Sequence, residues 1–143
     1  MTLKNIDNYD ITIYNNQKID NDTDIIEEKC TGSFHIKNGK SYIMYKAGQE
    51  GTKTSVTVIV SEDYVKIRRT GAVNSEMLYR TDRKTSFMYN LPYGSMSIDI
   101  ETELIEAQLC DDGGEIRLVY VLIIQNERYY NDLKITVKKR YEE

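Results

Sequence analysis

The sequence predicts an all-β, antiparallel, single-domain protein that closes as an up-and-down barrel. Three observations carry that expectation. The ordered-looking runs are rich in Val, Ile, Thr and Tyr, alternate apolar with polar residues, and the whole chain holds one proline. No apolar pattern at helical spacing persists for the roughly 11 residues that a helix needs. Tight turns recur between the runs, and each sets two apolar stripes face to face. A two-sheet sandwich is the alternative all-β arrangement. At 143 residues the chain is one domain, able to bury about 70% of the surface its unfolded form exposes. The expected boundaries are a flexible N-terminus over 1–8 and a barrel over 9–143.

The elements follow in chain order. A first strand is expected at Tyr9 to Tyr14, then a polar loop from Asn15 to Asp24. The second strand runs from about Ile26 to Lys37 and turns at Asn38-Gly39, a strong hairpin signal. That turn sets Ile36 opposite Ser41, Phe34 opposite Ile43 and Gly32 opposite Tyr45, with His35 and Tyr42 on the other face. A flexible Ala47 to Gly51 connection leads to a strand at Ser55 to Ser61. Glu62-Asp63 then aligns Val60 with Val65, Val58 with Ile67 and Val56 with Arg69.

Short strands are expected at Met77 to Arg80 and Thr85 to Tyr89. Leu91-Pro92-Tyr93-Gly94 reads as a β-turn. Ser95 to Cys110 would reach about 53 Å as one straight strand, too long for a small domain, and its alternation slips at Leu104. A bulge there resolves both problems. A turn centred on Asp111-Asp112-Gly113-Gly114 pairs Leu109 with Ile116, Ala107 with Leu118 and Ile105 with Tyr120. The last strands are Glu115 to Ile124 and Leu133 to Lys139, joined by a polar loop around Asn126 to Asp132.

Composition narrows the function classes. Net charge is −4, whereas a nucleic-acid binder more often carries a basic excess. The basic clusters Lys66/Arg68/Arg69, Arg80/Arg83/Lys84 and Lys138/Lys139/Arg140 read as solvated outer strand faces. No apolar run approaches the roughly 18 residues of a membrane span. Met1 to Asp10 lacks a signal-peptide pattern. Cys30 and Cys110 have no close cysteine partners and read as reduced thiols. Together these point to a cytoplasmic protein without nucleic-acid or membrane partners.

One motif set carries a family resemblance. It comprises Arg69-Thr-Gly-Ala-Val-Asn-Ser-Glu-Met77, Tyr89-Asn-Leu-Pro-Tyr-Gly94, Gly113-Gly114 followed by Ile-x-Leu-x-Tyr120, and Asn131-Asp-Leu-Lys-Ile-Thr-Val137. In order and spacing, from about Tyr9 to Glu143, the chain resembles the YwiB-like family of small bacterial proteins of unknown function. The resemblance implies a calycin-like β-barrel, related in shape to lipocalins and fatty-acid-binding proteins. It implies no catalytic residue. The Gly-x-Trp signature of true lipocalins is absent, since the chain has no tryptophan. Transport of small hydrophobes would then be analogy from fold alone.

Arg69 is the most informative residue, because the Glu62-Asp63 turn places it on an apolar face. A guanidinium there must be paired or meet a ligand, since burying it bare costs several kcal/mol. It either anchors a carboxylate or phosphate, or bonds an inward acid, backbone carbonyls or solvent at the barrel end. Tyr45, Tyr89 and Tyr120 fall on inward stripes, where they either line a polar cavity beside Arg69 or fill the barrel.

Catalysis has little to work with. The single histidine, His35, alternates out of phase with Phe34 and Ile36 and is expected to face outward. Asp99/Glu101/Glu103 and Glu27/Glu28 read as solvated carboxylates. Asp20 to Thr31 opens like a calcium loop but has Ile25 where glycine is required and Thr31 where glutamate is required. Gly39-Lys40-Ser41 is explained by its hairpin. No metal, cofactor or catalytic residue is therefore expected. The reading is a non-enzymatic barrel that binds a small, anionic ligand through Arg69, Tyr45, Tyr89 and Tyr120. Its rival is a module that self-associates, as a homodimer, through an outer apolar face at Val119, Val121 and Ile123.

Overall fold

A computed structural model describes residues 9–48, 53–72 and 74–140. The expected flexible segments at 1–8 and 49–51 lie outside the described residues. Ten strands form a single sheet in the order β6-β5-β4-β3-β2-β1-β10-β9-β8-β7, each pair antiparallel. They are β1 (Tyr9–Ile19), β2 (Asp22–Lys37), β3 (Lys40–Ala47), β4 (Thr54–Val60), β5 (Val65–Gly71), β6 (Ser75–Tyr79), β7 (Thr85–Leu91), β8 (Gly94–Cys110), β9 (Gly113–Ile124) and β10 (Glu127–Lys139). One continuous sheet with no second layer is a barrel rather than a sandwich. It is nearly closed. β6 and β7 end the sheet, and the Thr85 hydroxyl donates to the Leu78 carbonyl across the seam.

The inward stripes supply the core. Ile11, Ile43, Val58, Val65, Ile67, Ile116, Leu118 and Ile135 are nearly inaccessible to solvent. Alternation creates it, because apolar residues at every second position of each strand meet from all sides of the barrel. At Asn38-Gly39 both residues take positive φ, 53° and 80°, the twist that a two-residue hairpin favours. Phe34 pairs with Ile43 and Gly32 with Tyr45, as the sequence predicts. The Glu62-Asp63 turn likewise pairs Val56 with Arg69.

The turn after β8 corrects one expectation. Asp111 and Asp112 alone make it, so Leu109 pairs with Gly114, Ala107 with Ile116 and Ile105 with Leu118. The ladder is two residues from the predicted register, and an even shift leaves every inward side chain inward. The glycines belong to the strand rather than the turn, with φ of 120° and 143°. The expected bulge is present, as a register shift between Thr102 and Leu104.

Two predicted loops are strands. β1 extends to Ile19 and turns at Asp20-Asn21 onto Asp22. Gln125 and Asn126, both at positive φ, turn β9 tightly onto β10, which begins at Glu127 rather than Leu133.

Candidate functional site

The inward face carries a polar region spread over several strands. β5 places Arg69 beside Val56, half-buried, with its guanidinium Nη1 3.6 Å from Met77 Sδ. Tyr45 on β3 and Tyr120 on β9 are buried, at 8% and 6% exposure. Tyr79 on β6 is buried too and meets Tyr120 edge to face, ring centroids 4.7 Å apart. Its hydroxyl lies 3.7 Å from the same Met77 sulfur.

Arg69 acts electrostatically on all three phenols, Tyr45, Tyr79 and Tyr120. Burial pushes the Tyr45 hydroxyl up to about 12, opposed by the Arg69 charge. Burial also raises Tyr79 and Tyr120, the latter against the hydrogen bond from Tyr79 and the Arg69 cation. Desolvation outweighs the cation at each ring because a phenolate loses its water on burial.

The same side of the barrel carries amides. Asn131 on β10 accepts from Asn15 Nδ2 at 3.1 Å and Gln17 Nε2 at 2.9 Å, and donates to the Tyr129 carbonyl. Asn131 pairs with Tyr120, and Tyr120 with Thr102, so the amides run into the tyrosines. Asn15 Oδ1 and Thr102 Oγ1 are buried and accept no hydrogen bond. Glu28 on β2 bears electrostatically on Tyr45.

Of the residues singled out by sequence, the structure brings Arg69, Tyr45 and Tyr120 together. Tyr89 stands apart. It pairs with Met96, six residues along β8 from Thr102, about 20 Å at roughly 3.3 Å per residue. Sequence reasoning missed Tyr79, Asn15, Gln17 and Asn131. Extending the Val60–Val65 ladder one strand further would have found Tyr79, which pairs with Val65.

The outer face at Val119, Val121 and Ile123 is partly covered by the chain itself, with Val119 and Ile123 half-buried. Val121 is 3% exposed, and Arg128 of β10 reaches Glu101 of β8 at 2.8 Å, bridging across β9. Arg117 holds Asp132 through two hydrogen bonds of 2.9 and 2.8 Å, which keeps the Asp132 carboxyl below its usual range. Val119 and Val121 line a cleft of about 230 Å³ with Asn16, Lys18 and Tyr130.

His35 is exposed on β2, beside Tyr42. Cys30 and Cys110 are not joined in a disulfide. Among the described residues no group of three or more His, Cys, Asp or Glu side chains could hold a metal ion. No helix among them is long and apolar enough to cross a membrane.

The buried phenols predict an alkaline limit. A raised folded-state pKa contributes its full stability below the unfolded value near 10, and loses it as pH climbs through the folded value. Denaturant-derived stability should therefore hold level from pH 7 to 9 and fall from pH 10 to 12. Tyr45→Phe should flatten part of that fall. An unchanged stability at pH 12 would contradict the burial of these hydroxyls.

Comparison with known proteins agrees with this architecture. The family profile described as "Domain of unknown function (DUF1934)" matches residues 11–137. The uncharacterised β-barrel protein YwiB of Bacillus subtilis (strain 168) is 27% identical over 118 residues, 82% of this chain and 83% of that protein. The crystal structure of the ywiB protein from Bacillus subtilis superposes with a TM-score of 0.84 at 23% identity, over 93% of this chain and 92% of that one. At that identity the superposition speaks for the fold alone. With most of its length matched by the family profile, from β1 to β10, the chain belongs to the DUF1934 family, whose function is unknown.

Proposed function

We propose that the barrel binds a small anionic molecule at the polar region of its interior. Arg69 supplies the counter-charge, and the hydroxyls of Tyr45, Tyr79 and Tyr120 supply hydrogen bonds. One observation carries this reading. Among the described residues no carboxylate lies within 4.0 Å of the half-buried Arg69 guanidinium, while a thioether sulfur occupies one of its donors. A thioether is a weak acceptor. A half-buried cation so poorly matched gains most from a carboxylate or phosphate, which can take two parallel N–H bonds. The unsatisfied Asn15 and Thr102 oxygens add acceptors for a ligand's own donors.

The proposed role is binding rather than catalysis, because the roles it gives Arg69 and the tyrosines are a counter-charge and hydrogen bonds. Self-association through Val119, Val121 and Ile123 has less support, because the Arg128–Glu101 ion pair crosses that stripe and Val121 is buried. The test uses native mass spectrometry of gently purified protein, then calorimetric titration with decanoate and, separately, inorganic phosphate. Wild-type protein should bind at least one, and Arg69→Met should weaken it at least tenfold while the circular dichroism spectrum stays unchanged. A bare chain that binds neither anion, or an Arg69→Met variant that binds as wild type does, would remove the reading.

A further inference from the structure

The first half of β2 has an edge that is open among the described residues. β1 pairs with it from Asp22 to Gly32 on one side, whereas β3 accompanies it only from Gly32 to Lys37 on the other. Among the described residues no strand pairs with that second edge over Asp22 to Glu27. All six of those residues are exposed, on both faces. Ile25 and Ile26 are the most apolar of them, at 54% and 51% exposure.

An edge of this kind presents alternate backbone N–H and C=O groups with no partner, a template for one more strand. Its charge selects which strand. Asp22, Asp24, Glu27 and Glu28 bracket the two isoleucines, and the nearest cation on the strand is Lys29. A second copy is a poor occupant. Pairing two such edges with isoleucine against isoleucine sets Asp24 opposite Glu27 on both sides of the two-fold, and like charges directly opposite are unfavourable.

We propose that the Asp22–Glu27 edge docks an extended basic segment of another protein by strand addition. That segment carries two adjacent apolar residues flanked by lysine or arginine. Its backbone bonds to the edge, its apolar pair lies against Ile25 and Ile26, and its cations lie against Asp24 and Glu27. This inference is independent of the ligand reading, because it uses the outer rim of β2 and neither Arg69 nor the tyrosines.

The probe is a blocked peptide, Lys-Thr-Lys-Val-Val-Lys-Thr-Lys, compared with Glu-Thr-Glu-Val-Val-Glu-Thr-Glu. Binding is followed by fluorescence anisotropy and amide hydrogen exchange on the full chain. The basic peptide should bind at least tenfold tighter, weaken as salt rises, and slow exchange within residues 22–27. The exposed Asp24→Lys/Glu27→Lys double variant should reverse the preference. Four results would each overturn the proposal. They are equal affinity for both peptides, protection confined to other strands, no binding of either peptide, and a concentration-dependent dimer protecting the same amides, which would assign the edge to a second copy.

Discussion

Gly114→Val is expected to unfold the barrel. Gly114 lies between two neighbours, paired with Leu109 on β8 and Val137 on β10. A Cβ built there would sit 1.9 Å from the Gln108 carbonyl oxygen, and the residue takes φ of +143°. The obstruction is backbone on a central ladder, so neither a rotamer change nor a local shift relieves it. Valine adds a branched side chain that resists positive φ. The loss should exceed about 4 kcal/mol, comparable with the whole stability of a small domain. Gly39→Ala is the control, since nothing lies within 4 Å of its Cβ position and only the backbone cost of φ +80° applies. That cost is about 1 kcal/mol. Urea titrations monitored by circular dichroism separate the two. A folded, wild-type-like Gly114→Val would disprove the β8–β9–β10 register.

The second large effect belongs to Tyr79→Ala. Tyr79 is 1% exposed and lies on β6, at the seam where the sheet nearly closes on β7 and β8. Its ring packs on Tyr120 of β9, so it links the last strand on one side to the interior of the other. Removing it leaves a cavity the size of an aromatic ring, with an expected cost of about 3–5 kcal/mol. Tyr79→Phe keeps the volume and removes only a hydroxyl whose contacts are Met77 sulfur and Tyr120. The cost there should be about 1 kcal/mol. If both variants cost the same small amount, Tyr79 is not a filled part of the core and the seam is looser than described.

The parts legible in the sequence were those with strict alternation or diagnostic turn chemistry. Asn38-Gly39 fixed its ladder because few other dipeptides accept positive φ twice, and the valines of β4 and β5 fixed theirs by having one possible inward face. The Asp111–Gly114 turn was misjudged by two residues because Gly-Gly reads locally as turn, whereas close packing against β8 and β10 requires it in the strand. The Gln125-Asn126 turn contains no glycine and gives almost no signal.

The site was half legible for a related reason. Arg69 was conspicuous as a charge on an apolar stripe. Asn15, Gln17 and Asn131 were not, because polar side chains on an inward face erase the alternation that identifies a strand. Their segments looked like loops, and only the three-dimensional pairing reveals them as a connected amide group. Tyr89 satisfied parity as well as Tyr45 or Tyr120 did. Parity assigns a face and says nothing about height along the barrel, which is what separates Tyr89 from the others.

The central claim is that the Arg69 guanidinium, on the inward face with Tyr45, Tyr79 and Tyr120, is the group that meets the anion. Nitrogen-15 spectra of the arginine Nε–H groups test it most directly, with the Arg69 resonance assigned by its loss in Arg69→Met. The account predicts that this resonance shifts saturably as decanoate or phosphate is added, with the other arginine resonances left in place. An Arg69 resonance that stays fixed while the anion binds, or while surface arginines shift instead, would contradict it.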